Sequence, residues 1–204
     1  MLLKSNFKSD LAKEKRLSAL LDSYYQKHLR SCHFERVRSM KEQLMGIDLV
    51  LQHKTSLQTF YVDEKAQLDY VNETLPTFAF ELCYLKNGIE KPGWLFDQAK
   101  NTHFYALITS IFSDEDEKYT SCNITFVNRK KLLSFLEKRG LTQSFLKDIT
   151  SSNKGLHGKL VLDKINPKTE GYLFFSRKNK AENPVNLILK LAFLCKVGIA
   201  KRLV

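Results

Sequence analysis

Apolar residues recur at three- and four-residue steps from Leu17 through Leu20, Leu21, Tyr24, Tyr25, Leu29, Val37, Met40 and Leu44, with neither glycine nor proline between Asp10 and Met45. That spacing predicts a helical segment, one long helix or two, closed by Gly46. The period then changes. Residues 47–52 and 59–67 read as strands with HKTSLQ as the turn between them, and PTFAFELCYL at 76–85 as a third strand. PGWLFDQAKNT predicts a short helix with Pro92 near its start, and HFYALITSIF a fourth strand. Beyond the acidic run at 114–117, CNITFV predicts a strand, NRKKLLSFLEKRG a helix capped by Asn128 and ended by Gly140, and TQSFLKDI a short helix. KLVLDKI and GYLFFSR read as two more strands, and NPVNLILKLAFLCKVGIAKRL as a closing helix begun by Asn183 and Pro184.

Composition narrows the class. With 204 residues, 43% of them hydrophobic, 4 prolines and 8 glycines, the chain is expected to fold around a sizeable core. The four cysteines, Cys32, Cys83, Cys122 and Cys195, contain no close pair, so they read as reduced thiols rather than disulfide or zinc ligands. No segment approaches the ~18 uncharged apolar residues of a membrane span, and a cytoplasmic location is expected by default. The charge is uneven: residues 1–117 hold 15 Lys and Arg against 17 Asp and Glu, whereas residues 118–204 hold 18 against 5. This asymmetry suggests a core at 1–117 and a basic C-terminal extension at 118–204 packed on it, the two together forming one compact unit. It points to a polyanion or an anionic membrane as partner.

Candidate chemistry lies in the stretch GIDLVLQHKTSLQTFYVDEKAQ, 46–67. In a strand, residues two apart share a face, so Tyr61, Asp63, Lys65 and Gln67 point one way. If the two strands form a hairpin turning at Thr55 and Ser56, facing residue numbers sum to 111 and Asp48 falls opposite Asp63. Facing side chains are then roughly 5 Å apart. Two carboxylates so placed call for a cation between them, and Mg²⁺ or Mn²⁺ with Lys65 would supply it. Such an arrangement suits phosphodiester hydrolysis, with the metal polarising a phosphate and the ammonium orienting the attacking water.

A helix, then GID, then DEK, then an aromatic strand and a helix resembles the PD-(D/E)XK nuclease superfamily, the restriction-endonuclease-like fold, over about residues 34–112. Asp48 matches the first acidic position, and Asp63 and Lys65 the acid-x-lysine pair; Gly-Ile-Asp stands where that superfamily often has Pro-Asp. The stretches MGIDLVL, VDEKAQLDYVNETLPTFAFELCYLKNG and GWLFDQAKNTHFYALI are also similar to a group of bacterial and phage proteins. The resemblance implies an α/β (α+β) fold with a central mixed sheet flanked by helices. It further implies metal contacts from Asp48, Asp63 and the backbone carbonyl of Glu64, with Glu42, or second Glu35, as a further acidic ligand from the preceding helix. Gln43, Gln67 and Glu81 are candidate supporting groups.

Lys100 and the basic clusters Arg129, Lys130, Lys131 and Arg177, Lys178, Lys180 are candidate phosphate contacts. The expected activity is that of a Mg²⁺-dependent DNA endonuclease of restriction or phage type, with RNA as an alternative substrate and a homodimer if both strands are cut symmetrically. A non-catalytic nucleic-acid-binding or protein-interaction module of the same fold is the main alternative. Docking on an anionic membrane is a third reading from the charge alone, but no long basic amphipathic helix with Trp or Phe anchors supports it, and no membrane partner is expected.

Overall fold

In the computed structural model, which describes residues 7–115, 118–178 and 182–204, helix α1 (Phe7–His28), strand β1 (Cys32–Arg36) and the short helix α2 (Met40–Leu44) lead into β2 (Leu49–His53) and β3 (Thr59–Ala66). A 3₁₀ turn at Leu68–Tyr70 precedes β4 (Thr77–Lys86), β5 (Ile89–Pro92) and the long strands β6 (Phe104–Glu115) and β7 (Lys118–Asn128). Then come α3 (Arg129–Lys138), α4 (Gln143–Ser152), β8 (Gly158–Leu160), β9 (Gly171–Phe175), β10 (Val185–Lys190), α5 (Leu191–Lys196) and β11 (Ala200–Arg202). The class is α+β, with the strands divided between two sheets in two compact units.

The first unit, residues 7–75, 99–129 and 198–204, is built on a six-stranded mixed sheet in the order β1-β2-β3-β6-β7-β11. Its neighbours are antiparallel except β3 and β6, which run parallel. α1 buries Leu17, Leu21 and Tyr25, spaced four apart as a helix stripe requires, in one core cluster with Leu49, Leu51, Val62, Ala106, Ile108 and Ile124. β6 is buried at every position from Tyr105 to Ile111. Such a continuous run marks a strand covered on both faces.

The second unit, residues 76–98 and 130–197 among those described, carries a five-stranded antiparallel sheet in the order β5-β4-β10-β9-β8. Its central strand β10 buries Val185, Leu187 and Leu189 at alternate positions, while α3 buries Leu132 and Leu136 and α4 buries Leu146. Thr142 caps α4, accepting from the Phe145 N–H at 3.2 Å. Among the described residues no helix is long and apolar enough to cross a membrane.

Several expected elements change. The predicted helical stretch to Met45 is interrupted by β1, where Cys32, Phe34 and Arg36 alternate with exposed His33 and Glu35; the ladder to β2 overrides the helix preference of Glu and Arg. Residues 92–102 form no helix. The Gly93 and Leu95 amides donate to the carbonyls of Leu82 and Glu81 on β4, so this segment follows the sheet instead of closing on itself. The third predicted strand exists as β4 but belongs to the antiparallel sheet. The predicted closing helix is β10, a short α5 and β11, because its apolar positions 185, 187 and 189 fit a period of two. Of the strand expected at 159–165 only the start, within β8, is formed. The boundary drawn from charge between residues 117 and 118 lies between β6 and β7, which pair with each other, so residues 118–128 and 198–204 are part of the mixed-sheet unit and not of an extension.

Candidate functional site

β2 and β3 pair with Leu49 opposite Val62, Val50 opposite Tyr61 and Leu51 opposite Phe60, so facing residue numbers sum to 111. One residue before β2, the Asp48 N–H still donates to the Val62 carbonyl at 2.9 Å. That bond is one residue off the 111 register, so the ladder shifts at Asp48, and it is the side chains that bring the Asp48 and Asp63 carboxyls together. Leu49, Leu51, Phe60 and Val62 face the α1 core, and alternation sends Asp48, Val50, Tyr61, Asp63 and Lys65 to the opposite face.

Asp63 is 1% exposed. Its Oδ1 accepts from Lys65 Nζ at 2.5 Å, whereas its Oδ2 is buried without a hydrogen-bond partner. Asp48 Oδ2 accepts the Glu64 N–H at 2.8 Å. Burial first, and the Asp63 charge second, push the Asp48 carboxyl up to about 7, against the opposing pull of Lys65 and the Glu64 N–H. The two carboxylates are therefore an electrostatically coupled pair, and neither can give a hydrogen bond to the other once both are ionised.

The turn before Asp48 shapes the approach to this pair. Gly46 has φ +73°, and a Cβ there would collide with Thr102 Oγ1 and come within 3.0 Å of Lys100 Cδ and 3.2 Å of Asp63 Oδ2. Only glycine combines that backbone conformation with an uncrowded Oδ2. The turn is held from the segment before β6: the buried Thr102 hydroxyl donates to the Gly46 carbonyl at 2.9 Å, the Asn101 N–H to the Met45 carbonyl at 2.8 Å, and Lys100 Nζ to the Leu44 carbonyl at 2.8 Å. Lys100 therefore caps the C-terminus of α2 beside the carboxylates.

Glu64 is inverted relative to its neighbours. Its carboxylate takes Arg36 Nη1 at 2.7 Å and the hydroxyl of the fully buried Tyr25 at 2.7 Å, and Arg36 Nε continues to Asp22 at 2.6 Å. Burial together with Glu64 raises the Tyr25 phenol well above its ordinary range. β1, β3 and α1 are tied together behind the acidic pair by this network, while the Glu64 N–H holds Asp48 in front.

Glu35 on β1 is opposite Val50 and therefore on the same face as Asp48, but exposed. Glu42 is exposed on α2, and among the described residues no group of three or more His, Cys, Asp or Glu side chains converges as a metal site, so neither glutamate joins the pair. Gln43 donates to the Val37 carbonyl at 3.0 Å. Gln67, half-buried after β3, uses its N–H on the Ile108 carbonyl at 3.0 Å. Glu81 is on β4 in the antiparallel sheet, opposite Asn186. Arg129 Nε donates to the Tyr105 hydroxyl at 3.0 Å and its Nη1 to the Lys100 carbonyl at 3.3 Å, which makes it a strut of the mixed-sheet unit. Lys130 and Lys131 are exposed on α3, Arg177 donates to the Asn183 carbonyl at 3.1 Å, Lys178 is exposed, and Lys180 lies outside the described residues. Gly46, Thr102, Tyr25 and Arg36 have no counterpart in the expected set. Gly46 alone carried a local signal, its position directly before Ile47-Asp48.

Searches against protein-family models, curated proteins and solved structures find no match to this chain.

The donor chemistry of the pair fits a small hard cation. Asp48 and Asp63 offer carboxylate oxygens, one of them orphaned and buried beside a residue with no side chain. Mg²⁺ commonly takes one or two carboxylates and completes its shell with water and substrate oxygens, so two protein carboxylates suffice. His28 and His33 are both exposed, and the free Cys83 and Cys122 thiols are pushed by burial up to about 11 and about 12, so these side chains supply no competing soft site.

Proposed function

We propose that this chain is a metal-dependent nuclease with a restriction-endonuclease-like core formed by the mixed-sheet unit, hydrolysing phosphodiester bonds in DNA. One observation carries it: Asp48, Asp63 and Lys65 meet at the end of the β2–β3 hairpin, and the Asp63 Oδ2 is buried with no partner of its own. A bound Mg²⁺ or Mn²⁺ would supply Lewis-acid polarisation of the scissile phosphate and a more acidic water. Asp48 and Asp63 would hold that ion, Asp48 being aimed by the Glu64 N–H, and the Glu64 backbone carbonyl is a third candidate donor. Lys65, oriented by Asp63 Oδ1, would place the attacking water and stabilise charge building on the phosphate oxygens. Charge supports a polyanionic substrate: the antiparallel unit and residues 1–5 together hold 17 Lys and Arg against 8 Asp and Glu, a net of +9, while the mixed-sheet unit has 16 against 14. Symmetric double-strand cutting would take a homodimer.

A second possibility, a nucleic-acid-binding module without catalysis, is favoured by the lack of a third acidic side chain at the pair among the described residues. The two separate in one assay. Purified protein with Mg²⁺ or Mn²⁺ is expected to nick or cut plasmid, with Asp63→Ala and Lys65→Ala each lowering the rate by at least about 100-fold while the melting transition is kept. Salt-sensitive binding with no metal-dependent product would favour the binding module, and unchanged cutting in both variants would remove the site from the chemistry.

A further inference from the structure

The face that carries Asp63 and Lys65 continues along β3 to Tyr61, two residues before Asp63 and hence about 6.6 Å away along the strand. Tyr61 is stacked on His103, with ring centroids 5.2 Å apart and planes at 25°. Backbone bonds lock the pair. The Tyr61 N–H donates to His103 Nδ1 at 2.9 Å, and the His103 N–H donates to the Tyr61 carbonyl at 2.9 Å. That acceptor role leaves the imidazole proton on Nε2. His103 is exposed and Tyr61 half-buried, and the neighbouring positions of this face, His33, Glu35, Gln52 and Thr59, are all exposed. A polar ring and a phenol, pre-stacked on a solvent-facing strand next to the carboxylate pair, form a surface to which a further planar ring can add without reorganisation.

Charge decides what kind of ring. None of the six positions His33, Glu35, Val50, Gln52, Thr59 and Tyr61 on this face is a lysine or arginine, and the one fully charged residue is Glu35. A duplex presents its phosphates outward and would meet no cation at these six positions, the nearby cations Lys65 and Arg129 being engaged by Asp63 and by the Tyr105 hydroxyl and Lys100 carbonyl, whereas an opened strand presents bases, whose faces stack on aromatic side chains with no need of charge. We infer that the Tyr61–His103 stack is a platform for an unpaired base of a DNA strand adjoining the scissile phosphate, so that the substrate class of the site is single-stranded or locally opened DNA. This rests on the nuclease reading for the place of the phosphate, but the stacking itself needs no metal and no cutting.

The test uses the full chain in EDTA with a fluorescently labelled single-stranded oligonucleotide, intact or carrying one abasic position stepped along its length, read by anisotropy. Loss of the base at one or two positions is expected to weaken binding roughly ten-fold, the usual scale of a base–aromatic stack. Tyr61→Leu should show the same loss on the intact strand and no further loss on the abasic one, while Tyr61→Phe should bind as the parent does, with melting curves checking the fold of each variant. Equal binding of intact and abasic strands by the parent protein, or tighter binding of duplex than of single strand, overturns the platform. Metal-dependent cutting of plasmid, measured separately, would leave the nuclease proposal standing in that event; absence of cutting alongside base-dependent binding would do the reverse.

Discussion

Asp48 and Asp63 are costly to ionise together, and the cost has a pH signature. The Asp48 carboxyl stands at about 7 in the folded chain, against about 3.9 for an exposed Asp. Between those values the folded state holds a proton that the unfolded chain has released, so stability falls as pH rises. The contribution of the protonated carboxyl is complete below about pH 4 and is lost as pH passes through 7. A divalent cation held by the ionised pair, as proposed, would relieve the repulsion, so its stabilising effect would run the opposite way. Urea midpoints measured from pH 5 to 8 without metal are expected to fall, and the midpoint gained on adding Mg²⁺ to grow. Asp48→Asn should flatten both trends; an unchanged slope in that variant would place the titration elsewhere.

At the scale of elements, the placing of β3 depends on a bond set behind it. Arg36 on β1 bridges Glu64 on β3 to Asp22 on α1, with the Tyr25 hydroxyl completing the Glu64 shell. Arg36 and Glu64 side chains are 24% and 14% exposed, so removing one partner strands a half-buried charge. Arg36→Met alone is expected to cost about 2–3 kcal/mol in denaturant unfolding, and the double change Arg36→Met with Glu64→Leu to recover a large part of it. If the double variant is no better than the single, the ion pair is contributing stability in its own right. The hairpin register was legible because the apolar sets 47, 49, 51 and 60, 62 each allow one pairing that buries both. The Arg36–Glu64 bond was not, since a charged residue in a stretch with helix-forming neighbours gives no local sign of a partner 28 residues away.

Across the whole molecule, the basic surplus is tied to the unit that holds α3, β9 and β10 rather than to a C-terminal half. A DNA-binding role for that surplus predicts a steep salt dependence, with the logarithm of affinity falling linearly in the logarithm of salt concentration. Lys130→Gln, Lys131→Gln and Lys178→Gln together should weaken binding alike for all sequences and shallow the slope by about 0.9 for each phosphate no longer neutralised. A slope unchanged in the triple variant would show that these exposed lysines do not face the DNA. The division into units escaped the sequence because each is discontinuous: β4 pairs with β10, more than a hundred positions on, and β7 pairs with β11 across residues 130–197 of the antiparallel unit.

Local alternation and turn chemistry by themselves determined the β2–β3 hairpin, its register over residues 49–52 and 59–62, and the neighbouring of Asp63 and Lys65, since these follow from period-two burial over a score of adjacent residues. Helices α3 and α4 were equally local, being set by Gly140 and the Thr142 cap. Tertiary structure alone decided whether ambiguous apolar runs such as 185–190 became strand or helix, which sheet β4 joined, and which groups surround the acidic pair. Strand neighbours, the Thr102 and Lys100 bonds to the Gly46 turn, the Glu64 network and the Tyr61–His103 stack join positions far apart in the chain. Long-range pairings of this kind are chosen by the free energy of the assembled fold, and no window of sequence contains both partners.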